Sequence, residues 1–217
     1  MDILCQTKRC QALIHIQKQP EPPHFFEKVQ SKGEKFLLQH PNAKGKDLAT
    51  YWREVIPDLH RAYSGICAYT CHWIPTDTGS PTVDHFKPKE IYPQYAYHWD
   101  NYRLVCGALN GRKGKYEDVL DPFTLQDGWF EMNFDSLMLG PGAQLRAIET
   151  EKVDQTIKRL KLNGWICIEG RRNWLKPYLQ EKYDIEYLEE KAPFLARELK
   201  RQELDNVSLP IWKEYRR

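Results

Sequence analysis

Apolar residues recur along this chain at two spacings, and the switch between them divides it into three parts. From His24 to His40, Phe25, Phe26, Val29, Phe36 and Leu37 fall at helical intervals, and Leu48, Tyr51, Trp52, Val55 and Ile56 do so across Leu48–Tyr63. The spacing predicts a helix over each span, with Pro57 kinking or ending the first part of the second. Ahead of them Pro20, Pro22 and Pro23 interrupt regular structure, so residues 1–60 read as an irregular arm followed by helices. The period then shortens. Pro81-Thr82-Val83-Asp84-His85-Phe86 and Tyr102-Arg103-Leu104-Val105 read as two strands of a hairpin, and Gly107 to Lys115 as the start of a helix. Tyr92, Tyr95, Tyr97 and Trp99 crowd the connection between the strands; packing that loop onto the core is the expected role, stacking on bases the alternative.

Beyond this unit Trp129–Leu139 alternates as a second hairpin, turning near Asp135-Ser136 and closed by Gly140-Pro141-Gly142. The helical period returns with Thr150 as N-cap, Val153, Ile157 and Leu160 on one face and Asn163-Gly164 as the stop, followed by helices over Trp165–Gln180 and Ile185–Leu204. The expected fold is a single α+β domain: an N-terminal helical arm (1–60), a ββα core (61–125), and a β-hairpin with C-terminal helices (126–217). The last part is dense in mixed charge, from Arg171-Arg172 through Glu189-Glu190 to Lys200-Arg201. It reads equally as a helix pair docking on a partner subunit or as a solvated bundle face.

A length of 217 residues with 41% hydrophobic content suffices for one compact core. Net charge is only +2, so affinity for nucleic acid would have to come from a local patch. Lys87, Lys89, Arg103, Arg112, Lys113 and Lys115 form such a patch in sequence and are expected to contact phosphates, a solvated face being the alternative. No apolar run approaches a membrane span and the start lacks a secretory pattern, so a cytoplasmic location is expected. Six cysteines at irregular spacing are expected to be thiols.

The chemistry concentrates in Asp84-His85, Asn101, and Asn110 within Leu109-Asn110-Gly111-Arg112-Lys113-Gly114-Lys115. Hydrolysing a phosphodiester requires a deprotonated water, a cation to offset charge on the phosphate, and stabilisation of the leaving oxygen. His85 can serve as base. Asp84 and Asn110 are oxygen donors suited to magnesium or manganese, and Asn101 can orient the loop that carries His85. A His beside a carboxylate is by itself more often a structural pair; four such groups with a basic tail in one stretch favour catalysis. Replacing His85 by Ala is expected to abolish cleavage while sparing the fold, as a strand-end polar side chain packs little.

In this order the segments Cys67-Ala68-Tyr69-Thr70-Cys71, Val83-Asp84-His85-Phe86-Lys87-Pro88-Lys89, Trp99-Asp100-Asn101-Tyr102-Arg103-Leu104-Val105-Cys106 and Asn110-Gly111-Arg112-Lys113-Gly114 resemble the HNH, or ββα-metal, endonucleases. The resemblance implies Asp84 and Asn110 as metal ligands, His85 as general base and Asn101 as the middle asparagine, with Asn where many members have a final His. Gln19-Pro20-Glu21-Pro22-Pro23, Arg61–Tyr69 and Thr156–Asn163 extend the similarity to the small HNH proteins of Septu-type and retron-associated anti-phage systems. It implies DNA as substrate before RNA, and an ATPase partner that gates activity. Some HNH domains hold a structural zinc on two CxxC pairs. Here the first is stretched to Cys67-x-x-x-Cys71, and the second keeps Cys106 but has Leu109 for its partner, so buried thiols are expected in place of zinc, although these three with His72 can complete a tetrahedral set. The rival readings are a stand-alone restriction-type HNH enzyme, an RNA-directed nuclease, and a nucleic-acid-binding or assembly module that kept the scaffold without catalysis.

Overall fold

The computed structural model describes residues 16–213 and 215, and shows an α+β chain; the first part of the predicted N-terminal arm lies outside the described residues. Among these residues two antiparallel hairpins, β1 (Pro81–His85) with β2 (Tyr102–Cys106) and β3 (Phe130–Asn133) with β4 (Met138–Pro141), are surrounded by helices. In the first hairpin Asp84 faces Arg103 and His85 faces Tyr102 across the register. Helix α3 (Gly107–Lys113) leaves β2 without an intervening loop and packs on both strands. It ends at Gly114, whose φ of 50° and ψ of −128° suit a residue without a Cβ.

The arm holds the long connection between β1 and β2 in place. A π-helical turn (Phe26–Gln30) runs into α1 (Ser31–Gln39), burying Phe25 and Val29, and Phe25 meets the rings of Trp99 and Tyr102 edge-on at 5.4 and 5.7 Å. Tyr97 donates its hydroxyl to Ala49 O (2.9 Å) and Trp99 its indole N–H to Gln19 O (2.9 Å). Tyr97 and Trp99 thus pack the loop as expected, while Tyr92 and Tyr95 remain half-buried. Gly33 of α1 lies directly against Tyr97, whose Cγ would stand 2.0 Å from an added Cβ. Gly33→Ala is therefore expected to cost about 1–3 kcal/mol through overpacking. Denaturant unfolding checks this, and an unchanged midpoint would mean that α1 can shift away freely.

Several element boundaries differ from the sequence reading, each for a local reason. Leu48–Tyr63 is not one helix: a 3-10 turn (Tyr51–Val55) gives way to α2 (Ile56–Ala62), with Pro57 in the first turn of α2, where its missing N–H is harmless. Gly140 and Pro141 belong to β4 and do not close the hairpin. Helix α4 (Ala147–Leu160) opens three residues ahead of Thr150, because Glu149 accepts the Arg146 backbone N–H (2.9 Å), one arm of a capping box. It ends at Lys161 in the left-handed region, with the Leu162 N–H returning to Ile157 O (3.0 Å) as in a Schellman turn. Asn163 has another use: its side chain accepts from Leu139 N (2.7 Å) and donates to Leu139 O (2.8 Å), pairing β4 as a strand residue would.

After α5 (Trp165–Leu179), Ile185–Leu204 divides into α6 (Ile185–Lys191) and α7 (Pro193–Arg201). The break is set by Pro193, which forces Ala192 out of the helical region. Part of the mixed charge of this third is internal. Buried Arg171 donates to Leu137 O (2.7 Å) and Leu162 O (2.8 Å), and buried Glu198 accepts from Met132 N (2.9 Å) and from Arg201. No helix among the described residues is long and apolar enough to cross a membrane.

Candidate functional site

Asp84, His85 and Asn110 line one cleft of about 240 Å³, together with Trp52, Arg53, Lys89 and Glu90. Two features bring Asp84 and Asn110 together, and His85, the last residue of β1, completes the cleft at the strand end. Side chains alternate along a strand, so Thr82 and Asp84 share a face of β1. On α3, Asn110 donates from Nδ2 to Thr82 Oγ1 (3.0 Å) and Val83 O (3.0 Å), which pins the helix to that strand and leaves the amide oxygen as its acceptor.

His85 is 7% exposed, with its ring edge-on to Trp52 (4.7 Å) and Tyr102 (5.3 Å). Its Nε2 lies 2.9 Å from Ala96 O, which also accepts the Tyr102 hydroxyl (2.8 Å). A carbonyl only accepts, so Nε2 carries the proton and Nδ1 keeps the lone pair. Burial disfavours the charged ring most, with Lys89 adding to the effect, and brings its pKa to about 3 despite the Ala96 carbonyl and Glu90. The imidazole is neutral at physiological pH, with Nδ1 as its proton acceptor.

Asn101 is buried at the end of the connection between β1 and β2. Its amide accepts from Lys87 N (2.7 Å) and donates to Lys87 O and Tyr95 O (3.1 Å each), clamping the chain that leaves His85 to the far side of the loop.

Asp84 is 2% exposed. Tyr69 donates its hydroxyl to Oδ2 (3.0 Å), and the Lys113 ammonium lies 3.2 Å from Oδ1. Burial raises the carboxyl above its ordinary range, and Lys113 and Tyr69 oppose that rise. Asp84, Asn110 and Glu90 make the cleft rich in oxygen donors, which fits a hard divalent cation that keeps much of its own water. Among the described residues no three His, Cys, Asp or Glu side chains gather as a metal cluster.

The basic residues divide. Lys87 and Lys115 are exposed and Lys89 is half-buried, with Lys87 Nζ 4.1 Å from the Tyr95 ring centre and Lys89 paired to Glu90 (2.8 Å). The expected phosphate contacts at Arg103, Arg112 and Lys113 are corrected by their placement. Arg103 is buried in a bidentate pair with Asp121 (2.8 Å each), half-buried Arg112 donates to Leu160 O (3.0 Å), and Lys113 is fully enclosed. Each cation is engaged by an internal acceptor, and the burial of Arg103 and Lys113 withdraws their charge from a nucleic-acid backbone.

Of the expected thiols, Cys67 and Cys71 are buried and Cys106 is half-buried. Burial would raise the Cys67 pKa, but hydrogen bonds from Cys106 and Thr70 outweigh it and hold the thiol below its ordinary range, while Cys106, the donor, is raised. His72 is kept neutral by burial, with Arg171 adding to the effect, and its pKa falls to about 3.

Sequence reasoning missed Tyr69, Trp52, Arg53, Glu90 and the internal role of Lys113. A signal existed for Lys113: residues i and i+3 share a helix face, so an Asn110 turned to the hairpin carries Lys113 with it. Nothing in the local pattern marks Trp52 or Arg53, which arrive from the helical arm.

No protein-family model matches the chain. It is similar to the Septu protein PtuB of Bacillus thuringiensis, with 23% identity over 110 residues, or 51% of this chain and 40% of that protein. The match thus spans about two fifths of that relative's length.

Proposed function

We propose that this chain is a metal-dependent endonuclease of the HNH type that hydrolyses phosphodiester bonds, DNA before RNA, within an anti-phage defence complex that includes an ATPase. The observation that carries the reading is the convergence of Asp84, His85 and Asn110 on one cleft. In the proposed mechanism His85 accepts a proton from the attacking water at Nδ1, the nitrogen left by the Ala96 hydrogen bond. Asp84 and Asn110 would hold magnesium or manganese, which would supply positive charge to offset that on the phosphate and the departing 3′ oxygen. Asn101 keeps His85 in place through the Lys87 and Tyr95 backbone. Arg53, which lines the cleft, and exposed Lys87 and Lys115 are the cations proposed to bind flanking phosphates. The defence setting and the ATPase rest on the similarity to the Septu protein and on the residues that resemble such systems.

The test is plasmid nicking with magnesium, manganese or EDTA, with and without an ATPase encoded alongside. Metal-dependent nicking is expected. Cleavage that persists in EDTA would remove the cation from the reading, and inertness toward both DNA and RNA with the ATPase present would favour a catalytically silent module. That second reading has one observation behind it, the ammonium already seated on Asp84.

A further inference from the structure

Lys113 has no exposed surface, which is exceptional for a lysine. An ammonium has three donors, and here three oxygens surround it: His85 O (3.0 Å), Phe86 O (3.1 Å) and Asp84 Oδ1 (3.2 Å). The first two are the backbone carbonyls of the last residue of β1 and of the residue that follows it, so one charge gathers both the backbone and the carboxylate at the strand end. The Phe86 ring lies 5.7 Å from the same nitrogen. Tyr69 holds the other oxygen of Asp84. The carboxylate therefore has a charged partner on one oxygen and a neutral donor on the other, and both it and the ammonium are buried.

We propose that Lys113 is a positioning residue that sets the cation affinity of the cleft, its ammonium balancing Asp84 before any divalent ion arrives. The inference rests on the metal-binding role proposed for Asp84 and deepens it. A divalent cation on Asp84 stands within a few ångströms of this fixed positive charge, and burial removes the solvent that would screen the repulsion. The ammonium cannot swing away, being enclosed and tied to two backbone carbonyls. The free protein consequently binds the ion weakly, and a phosphodiester group, which brings negative charge into the cleft, strengthens the binding. Lys113 thereby makes ion occupancy depend on substrate, although it touches no substrate itself.

The test is calorimetric titration of manganese into the native protein, Lys113→Met and Lys113→Arg, all in one buffer. Methionine removes the charge at similar volume. It is expected to tighten manganese binding by about tenfold or more, and arginine to leave it near native. Adding Asp84→Asn to Lys113→Met should abolish the gain. A purely structural lysine predicts the opposite sign, because a disordered strand end binds more weakly. Unchanged or weaker binding to Lys113→Met overturns the inference while leaving the metal site of the native protein intact. No binding to either protein overturns the metal reading as well, and binding to the variant alone supports the inference in its strongest form. If Lys113→Met is unfolded without metal, recovery of the folding transition at manganese concentrations too low to saturate the native protein supports the inference. Absence of recovery at saturating manganese overturns it.

Discussion

Replacing His85 is expected to reduce cleavage by about 10²–10⁴-fold, the contribution typical of a positioned general base. At roughly 1.4 kcal/mol per tenfold this is about 3–5 kcal/mol of transition-state stabilisation. Among the described residues that line the cleft, this side chain alone offers a neutral imidazole nitrogen with its lone pair unengaged by the Ala96 hydrogen bond. The structure also corrects the expectation that His85→Ala spares the fold. The ring is buried against Trp52 and Tyr102, so alanine leaves a cavity and should cost about 0.5–3 kcal/mol of stability in addition. His85→Gln keeps more of the volume and a donor for Ala96, and is the cleaner variant. Single-turnover cleavage beside a thermal melt separates the two effects: a variant that melts like the native protein and cuts at the native rate removes His85 from the base role.

Asp84→Ala is expected to show the largest loss of stability, about 3–5 kcal/mol, because it leaves the Lys113 ammonium enclosed with only carbonyl partners. Asymmetry between losing one partner and losing both identifies the cause. Breaking a buried pair leaves an uncompensated charge, whereas replacing both members by apolar side chains of similar volume can be nearly neutral. Asp84→Ala should thus be rescued in large part by Lys113→Met in the same chain, read from denaturant midpoints of the two single variants and the double. Additive losses in that cycle would show that the two side chains do not share one interaction. Asp84→Ala should also lose metal-dependent cleavage, so stability must be measured under the assay conditions before lost activity is assigned to a missing ligand.

Much of the architecture was legible in short-range periodicity. The short segments Pro81–Phe86 and Tyr102–Val105 read as strands and placed β1 and β2 almost to the residue, and Gly107 onward continued as the expected helix. These are local effects: side-chain alternation, turn chemistry and helical spacing act over a few residues, and hence are written in consecutive sequence. The boundary errors arose where a longer-range partner outbid the local signal. Asn163 has the composition of a helix stop yet pairs with β4, and Thr150 is a good cap in isolation yet lies inside a helix begun by the Arg146–Glu149 pair.

The sequence by itself determined which chemical groups this protein has and the strand–strand–helix frame that carries Asp84, His85 and Asn110. Only the tertiary structure decided which charges face inward. Arg103, Arg112 and Lys113 are indistinguishable in sequence from phosphate-binding cations, and their fate depended on acceptors supplied from elsewhere: Asp121, the end of α4, and the Asp84 carboxylate with the His85 and Phe86 carbonyls. The physical reason is that a buried charge is tolerated only where such partners meet it, and whether they meet is fixed by packing between segments distant along the chain, not by the residues on either side.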